Sequence, residues 1–258
     1  MLILAGMGLG KGDIAERALE LAKHADEVLV EKYSSFLEEG YAEWIEQKIG
    51  KELKEVSREG LEQLAEKTVE MAREKDVVLL TPGDPLVATT HKILLDIAEE
   101  KGIKTKVVHA PSAFSVAIGE SRLSFYKFGP VVNIPYWQEH YKPTAFAKTI
   151  ARNLELGLHS LAFLDINRQT RKPMKIEECI EILGKADAIE RTGIFKKDPY
   201  VLIEANLGRD DQQIMLTKLS LAAQLGKMLE GKVLTLIFLS RIGFDEEGVK
   251  NFEVRNYQ

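Results

Sequence analysis

Apolar residues recur along the first hundred positions with two different periods. Short apolar runs at Leu2–Ala5, Glu27–Val30, Val77–Leu80 and Lys104–Val108 have the length and β-branched content of buried strands. Between them the apolar positions fall at helical spacing: in Ile14–Ala22, from Ser57 to about Arg73, and over residues 90–101. Asp13 and Ser57 stand where N-caps are expected for the first two of these helices. Strands separated by helices imply parallel pairing and right-handed crossovers, so this half predicts an α/β layered domain with a mainly parallel sheet.

The pattern changes at about residues 109–118. His109-Ala110-Pro111-Ser112 ends a strand, and Ser112 reads as the N-cap of Ala113–Ala117. An aromatic and proline segment, Phe125–Pro130, follows. Strands are predicted at 131–134, 160–165, 201–204, 213–216 and 233–239, and helices at about 145–156, 175–185, 218–230 and 244–251. The shorter links between the last strands predict a mixed sheet. The expectation is therefore two α/β domains, at 1–114 and 115–258, with no internal repeat.

The 258 residues suffice for this, and 45% apolar content supplies a core. Lys+Arg of 35 against Asp+Glu of 40 gives a net charge of −5, which argues against broad nucleic-acid binding. The basic clusters are Arg168/Arg171/Lys172 and Lys196/Lys197, the second reading as a solvated loop. The single cysteine, Cys179, excludes an internal disulfide or a cysteine metal cluster and reads as a small buried hydrophobe. No apolar run approaches the ~18 residues of a membrane span, and no basic leader precedes the first strand, so a cytoplasmic protein is expected.

The candidate chemistry lies in turns at strand ends. Thr81-Pro82-Gly83-Asp84-Pro85-Leu86-Val87-Ala88-Thr89-Thr90-His91 joins a strand to a helix with two prolines, a glycine and a carboxylate. In open α/β sheets, ligands bind at the carboxyl ends of strands. A rigid connection with Asp84 as a turn residue is an equal reading of the same residues. Gly6-Met7-Gly8-Leu9-Gly10 is a glycine-rich loop, and Glu31 ends the second strand at the spacing of a ribose-binding acid. That keeps a nicotinamide-dependent oxidoreductase as an alternative, although Lys11 occupies the place of the third glycine. Asp84 and Asp165 are the carboxylates expected nearest a ligand. His91 and His109 read as hydrogen-bonded structural histidines, and His24 and His159 as helix-end dipole partners or surface residues. Ser112 and Ser115 lack a nucleophile-elbow context.

Several of these segments together resemble a known family. Gly6-Met7-Gly8-Leu9, Glu31-Lys32-Tyr33-Ser34-Ser35, Leu80 through His91, His109-Ala110-Pro111-Ser112, Tyr126-Lys127-Phe128-Gly129 and Phe163-Leu164-Asp165-Ile166 closely resemble the diphthine synthases of the archaeal type, in the tetrapyrrole methylase superfamily. The resemblance is strong to about residue 183 and weaker beyond. It implies two α/β domains with a ligand cleft between them, a homodimer, and S-adenosylmethionine as methyl donor with S-adenosylhomocysteine as product. No metal is implied. The implied acceptor is the amino group of the 3-amino-3-carboxypropyl arm on a modified histidine of translation elongation factor 2, methylated three times to diphthine. Matched position by position, the resemblance assigns donor contacts to Leu9, Asp84, Val87, Ser112, Ala113, Leu164, Leu207 and Leu234. Two segments depart from the family: Asn206-Leu207-Gly208 replaces an Arg-Ala-Gly-like stretch, and Leu234 to Ser240 replaces a His-led strand ending in Pro-Gly. A tetrapyrrole or corrinoid precursor, or ribosomal RNA, remains an alternative acceptor. Neither a membrane nor direct nucleic-acid binding is expected.

Overall fold

A computed structural model describes residues 1–33, 35–62, 65–167 and 170–252. The chain divides into two units, Met1–Ser115 and Val116–Gln258.

The first unit is built on β1 (Leu2–Gly6), β2 (Glu27–Glu31), β3 (Lys54–Val56), β4 (Val77–Thr81) and β5 (Thr105–Val108). They form one sheet in the order β3-β2-β4-β1-β5, and every pairing is parallel. The helices are α1 (Glu16–His24), α2 (Tyr41–Ile49), α3 (Arg58–Glu62), α4 (Ala65–Met71) and α5 (Lys92–Glu100). Ile3, Ala5, Val78 and Leu80 pack with Ala18, Ala22, Tyr41 and Ile45 on one face. Leu2, Leu4, Val77 and Leu79 pack with Ala65, Val69, Leu94 and Ala98 on the other. A sheet covered on both faces needs apolar side chains at every position, which explains the unbroken runs in β1 and β4.

Ser57 does cap its helix: its Oγ accepts the Gly60 N–H at 3.1 Å. The long helix expected after it is described as α3 and α4, with residues 63 and 64 outside the described set. Asp13 does not cap α1. That helix starts at Glu16, with Ala15 at the N-cap position making no side-chain bond. The carboxylate of Asp13 is instead committed to the preceding glycine loop. Helix α2 and strand β3 lie in a stretch for which no element was expected. Tyr41, Ile45 and Ile49, four residues apart, bury one face of α2, and Gly50 ends it at φ +68°.

In the second unit, α6 (Ala113–Glu120), begun in the first, leads to β6 (Val132–Ile134), α7 (Ala145–Glu155), β7 (Ser160–Leu164), α8 (Ile176–Glu190), α9 (Ile194–Lys197), β8 (Tyr200–Ala205), β9 (Gln213–Lys218) and β10 (Leu234–Phe238). The sheet order is β6-β7-β10-β8-β9. Only β6 and β7 pair in parallel, so the sheet is mixed, as the short links predict. Its core joins Ile134, Ala162, Ile203 and Leu236 to Ile150, Leu183 and Leu219. Cys179 is buried there, and burial pushes its thiol up to about 12.

The helices expected at 218–230 and 244–251 are both 3-10 helices, Leu219–Met228 and Phe244–Phe252. The sequence carries the reason. Leu219, Ala222 and Leu225 face the core three residues apart, and the buried positions Glu246 and Val249 repeat that step. A period of three matches the 3.0 residues per turn of a 3-10 helix and not the 3.6 of an α-helix.

His159 is neither a surface residue nor a dipole partner. It is fully buried, with Nε2 at 3.0 Å from Glu246 Oε1, and its Nδ1 accepts the Ser240 N–H at 3.2 Å. Nδ1 accepts, so the ring hydrogen sits on Nε2 and donates to Glu246. Glu246 also accepts from Lys127 Nζ at 2.6 Å, Gly243 N–H at 2.7 Å and Ser124 N–H at 3.1 Å. Burial pushes the Glu246 carboxyl up, but these four donors outweigh it and hold the group at about 2. Burial lowers the His159 pKa despite the pull of Glu246. Among the described residues, no helix is long and apolar enough to cross a membrane.

Candidate functional site

The chain leaves β1 toward β2 and leaves its neighbour β4 toward β5, on the opposite side. Adjacent strands whose connections diverge open a crevice at their carboxyl ends. The glycine loop after β1 and the Thr81–His91 turn after β4 both stand at that point.

The two are tied to each other directly. Gly8 N–H donates to Gly83 O at 3.2 Å, Gly83 N–H donates to Gly8 O at 2.8 Å, and Met7 N–H donates to Thr81 O at 2.8 Å. Gly8 and Gly83 have φ of +76° and +67°, values that glycine adopts without strain. At Gly6, a Cβ would lie 2.4 Å from Gly83 O and 2.8 Å from Ala110 Cβ. Glycine is thus required for the three strand ends to meet. Asp13 Oδ2 accepts the N–H groups of Leu9 at 2.9 Å and Gly10 at 3.1 Å, fixing the loop from below. The buried Tyr41 hydroxyl donates to Met7 O at 2.5 Å.

The turn itself is organised by Asp84, whose side chain is 6% exposed. Its Oδ1 accepts the Leu86 N–H at 2.9 Å, an Asx-type turn. Its Oδ2 accepts the Ala110 N–H at 3.3 Å and lies 2.8 Å from His109 Nδ1. Leu86 and Val87 follow with their side chains exposed, and Ala88 is held at φ +56°, a left-handed conformation that an alanine adopts only under constraint. Beyond β5, Ser112 and Ser115 cap the start of α6 reciprocally. Ser115 N–H reaches Ser112 Oγ at 3.4 Å, and Ser112 N–H reaches Ser115 Oγ at 3.3 Å.

Leu9, Asp84, Val87, Ser112 and Ala113 therefore share the carboxyl end of the first sheet. In the second unit, Leu164 ends β7, Leu234 begins the antiparallel β10, and Leu207 follows β8, whose Ala205 pairs with Leu234. These three leucines thus share one end of the second sheet. Leu207 and Leu234 are buried and Leu164 is half-buried. Asp165 is at the same end and is occupied locally, accepting from Tyr136 N–H at 3.0 Å and its neighbour Ile166 N–H at 2.8 Å. Asn206, at φ +50°, donates to Asp211 and accepts the Val233 N–H at 2.9 Å, so it ties the Leu207 loop to the strand that carries Leu234.

Sequence reasoning did not find three further features: the His109–Asp84 pair, the Asn206 tie and Glu204. Glu204 is fully buried in β8 with neither oxygen hydrogen-bonded. Burial first, and Glu120 second, push it up to about 9. His91 is buried, with Nε2 3.5 Å from the Tyr33 hydroxyl. Of the basic clusters, Arg168 falls outside the described residues, as does Ser34 of the motif at 31–35, and Lys197 pairs with Glu155 at 3.1 Å. Among the described residues, no group of three or more His, Cys, Asp or Glu side chains is placed to hold a metal ion.

Comparison with known proteins agrees with this architecture. The family model for tetrapyrrole (corrin/porphyrin) methylases matches residues 1–223. A diphthine synthase of Methanocaldococcus jannaschii is 36% identical over 211 residues, covering 81% of this chain and 82% of the relative. One from Methanococcus aeolicus is 33% identical over 261 residues, covering 99% of each. A crystal structure of a diphthine synthase superposes with a TM-score of 0.86 at 31% identity, covering 98% of this chain and 95% of the other.

Proposed function

The chain belongs to the tetrapyrrole methylase family and, within it, to the diphthine synthases, and from that premise we propose how its residues carry the reaction. It is an S-adenosylmethionine-dependent methyltransferase of diphthamide biosynthesis. The acceptor we assign is the amino group of the 3-amino-3-carboxypropyl arm on the modified histidine of translation elongation factor 2. The observation that carries this reading is the meeting of the glycine loop with the Thr81–His91 turn at the divergence of β1 and β4.

The donor supplies a methyl group already activated on a sulfonium. The chain's task is then alignment, which can lower such a barrier by ~7–11 kcal/mol. The residues present fit a ligand of this kind. Gly8 and Gly83 hold the two loops together through their backbones, and Leu86 and Val87 offer exposed apolar side chains on a turn locked by Asp84. Leu9 has its N–H committed to Asp13, so its contact runs through its carbonyl or side chain. We assign donor contacts to Leu9, Asp84, Val87, Ser112 and Ala113 in the first unit and to Leu164, Leu207 and Leu234 in the second. The acceptor amine must be neutral to attack, and an apolar setting favours that form. After a third methyl group the nitrogen has no lone pair, so the sequence of transfers ends chemically. The chain is proposed to act as a homodimer in the cytoplasm, where elongation factor 2 works.

Incubation with labelled S-adenosylmethionine and elongation factor 2 bearing the unmethylated arm tests the assignment. Label on that histidine is expected. Label on a corrinoid precursor and none on the factor refutes it.

A further inference from the structure

His109 directly follows β5, at the same carboxyl end of the first sheet as the glycine loop and the Asp84 turn. Its side chain is 67% exposed, whereas the Asp84 side chain beside it is 6% exposed. Nδ1 lies 2.8 Å from Asp84 Oδ2. A carboxylate only accepts, so the ring hydrogen sits on Nδ1, and Nε2 of the neutral imidazole carries a bare lone pair. Asp84 is itself immobilised by the backbone N–H groups of Leu86 and Ala110. The ring is therefore held in one tautomer by a buried anion, on a side chain that is mostly exposed.

The Ala110 N–H also ties the chain after β5 to the same oxygen of Asp84, at 3.3 Å, so His109 is not the sole tether there. What the pair adds is a fixed, accessible base of the kind that a carboxylate orients in other proton-transfer sites.

We infer that His109 Nε2 accepts the proton that the acceptor amine must lose before each methyl transfer, with Asp84 as the positioning residue. The inference rests on the amine-methylating reading above. One ammonium N–H bond breaks and its hydrogen bonds to Nε2. The freed lone pair forms the new N–C bond as the C–S bond breaks, and the C–S electrons stay on sulfur as the neutral thioether. The imidazolium, stabilised by Asp84, then releases its proton to water from its exposed face.

His109→Gln and His109→Ala, both at an exposed position, test this in the full chain. Single-turnover methyl transfer to elongation factor 2 is measured from pH 6 to 9, with S-adenosylhomocysteine affinity measured alongside by calorimetry. We expect the rate at pH 7 to fall about 10²-fold in both variants, with product affinity within about twofold of the parent. Added imidazole should restore part of the rate in His109→Ala. The pH–rate profile of the variants should differ in shape from that of the parent. An unchanged rate and profile in the variants, or a rate loss matched by an equal loss of product affinity, overturns the inference while leaving the function intact. A parent chain that methylates no amine overturns both.

Discussion

Glu204 offers a measurable consequence of burial. Its neighbours in the sheet are Thr235 and Ile214, and neither oxygen has a hydrogen-bond partner. The folded chain holds this carboxyl at about 9, against an ordinary value of 4.5. Below pH 4.5 both folded and unfolded chains carry the proton, and the group has no pH-dependent effect. Above it the unfolded chain ionises while the folded chain cannot, so stability falls by about 1.4 kcal/mol per pH unit until the folded group also ionises near 9. From pH 4.5 to 7 the loss reaches roughly 3 kcal/mol. Glu204→Gln keeps the size and polarity but cannot ionise. It should match the parent near pH 4.5, exceed it by about 3 kcal/mol at pH 7 and by more at pH 8. Urea unfolding at several pH values measures this, followed by Trp137 fluorescence in a Trp44→Phe background, because Trp137 lies in the same unit as Glu204. A constant offset between the two proteins across pH refutes the assignment of a neutral buried acid.

Three further perturbations address other parts of the molecule. Gly6→Ala drives a Cβ into Gly83 O and Ala110 Cβ; it should cost about 1–3 kcal/mol and weaken S-adenosylhomocysteine binding, read by thermal shift and calorimetry. Glu246→Gln removes a buried anion from His159 and Lys127 and should cost about 3–5 kcal/mol near neutral pH. It should also flatten the acid limb. The Glu246 contribution is present above pH 4.5 and lost as pH falls toward 2, and the His159 contribution is lost as pH falls below 6.5; near-UV circular dichroism against pH follows both. Asn206→Ala loses the bonds to Asp211 and Val233 and should lower stability by about 1–2 kcal/mol, with a drop in donor affinity if Leu207 and Leu234 line the donor site, as calorimetry would show.

Much of the fold was legible because both periodicities are strong. The strands of the first unit are apolar throughout, and the Ser57 and Ser112 caps sit where hydroxyl groups were expected to cap. Strand β3 escaped because Lys54-Glu55-Val56 is a short, mostly exposed edge strand with no apolar run. Asp13 was misassigned because a carboxylate just ahead of a helix can equally turn back to the loop before it. His159 was misread because its partner Glu246 lies 87 residues further on, and no local pattern reports such a pair. The His109–Asp84 pair was within reach. Gly6 pairs with Thr81 and Ala5 with Val108, so parallel register alone brings the ends of β4 and β5 level with the end of β1.

The bond from Asp13 to the glycine loop carries a selectivity consequence. In dinucleotide-binding folds the amides after the first strand, together with the helix that follows, form a positive pole that seats a pyrophosphate. Here the amides of Leu9 and Gly10 end on a carboxylate of their own chain, and the first turn of α1 carries a second acid, Glu16. A phosphate arriving at this loop meets negative charge and amides that are already spent. The loop that most resembles a nicotinamide site in sequence thus discriminates against nucleotide phosphates and leaves its surroundings open to a donor whose reacting centre is a cation.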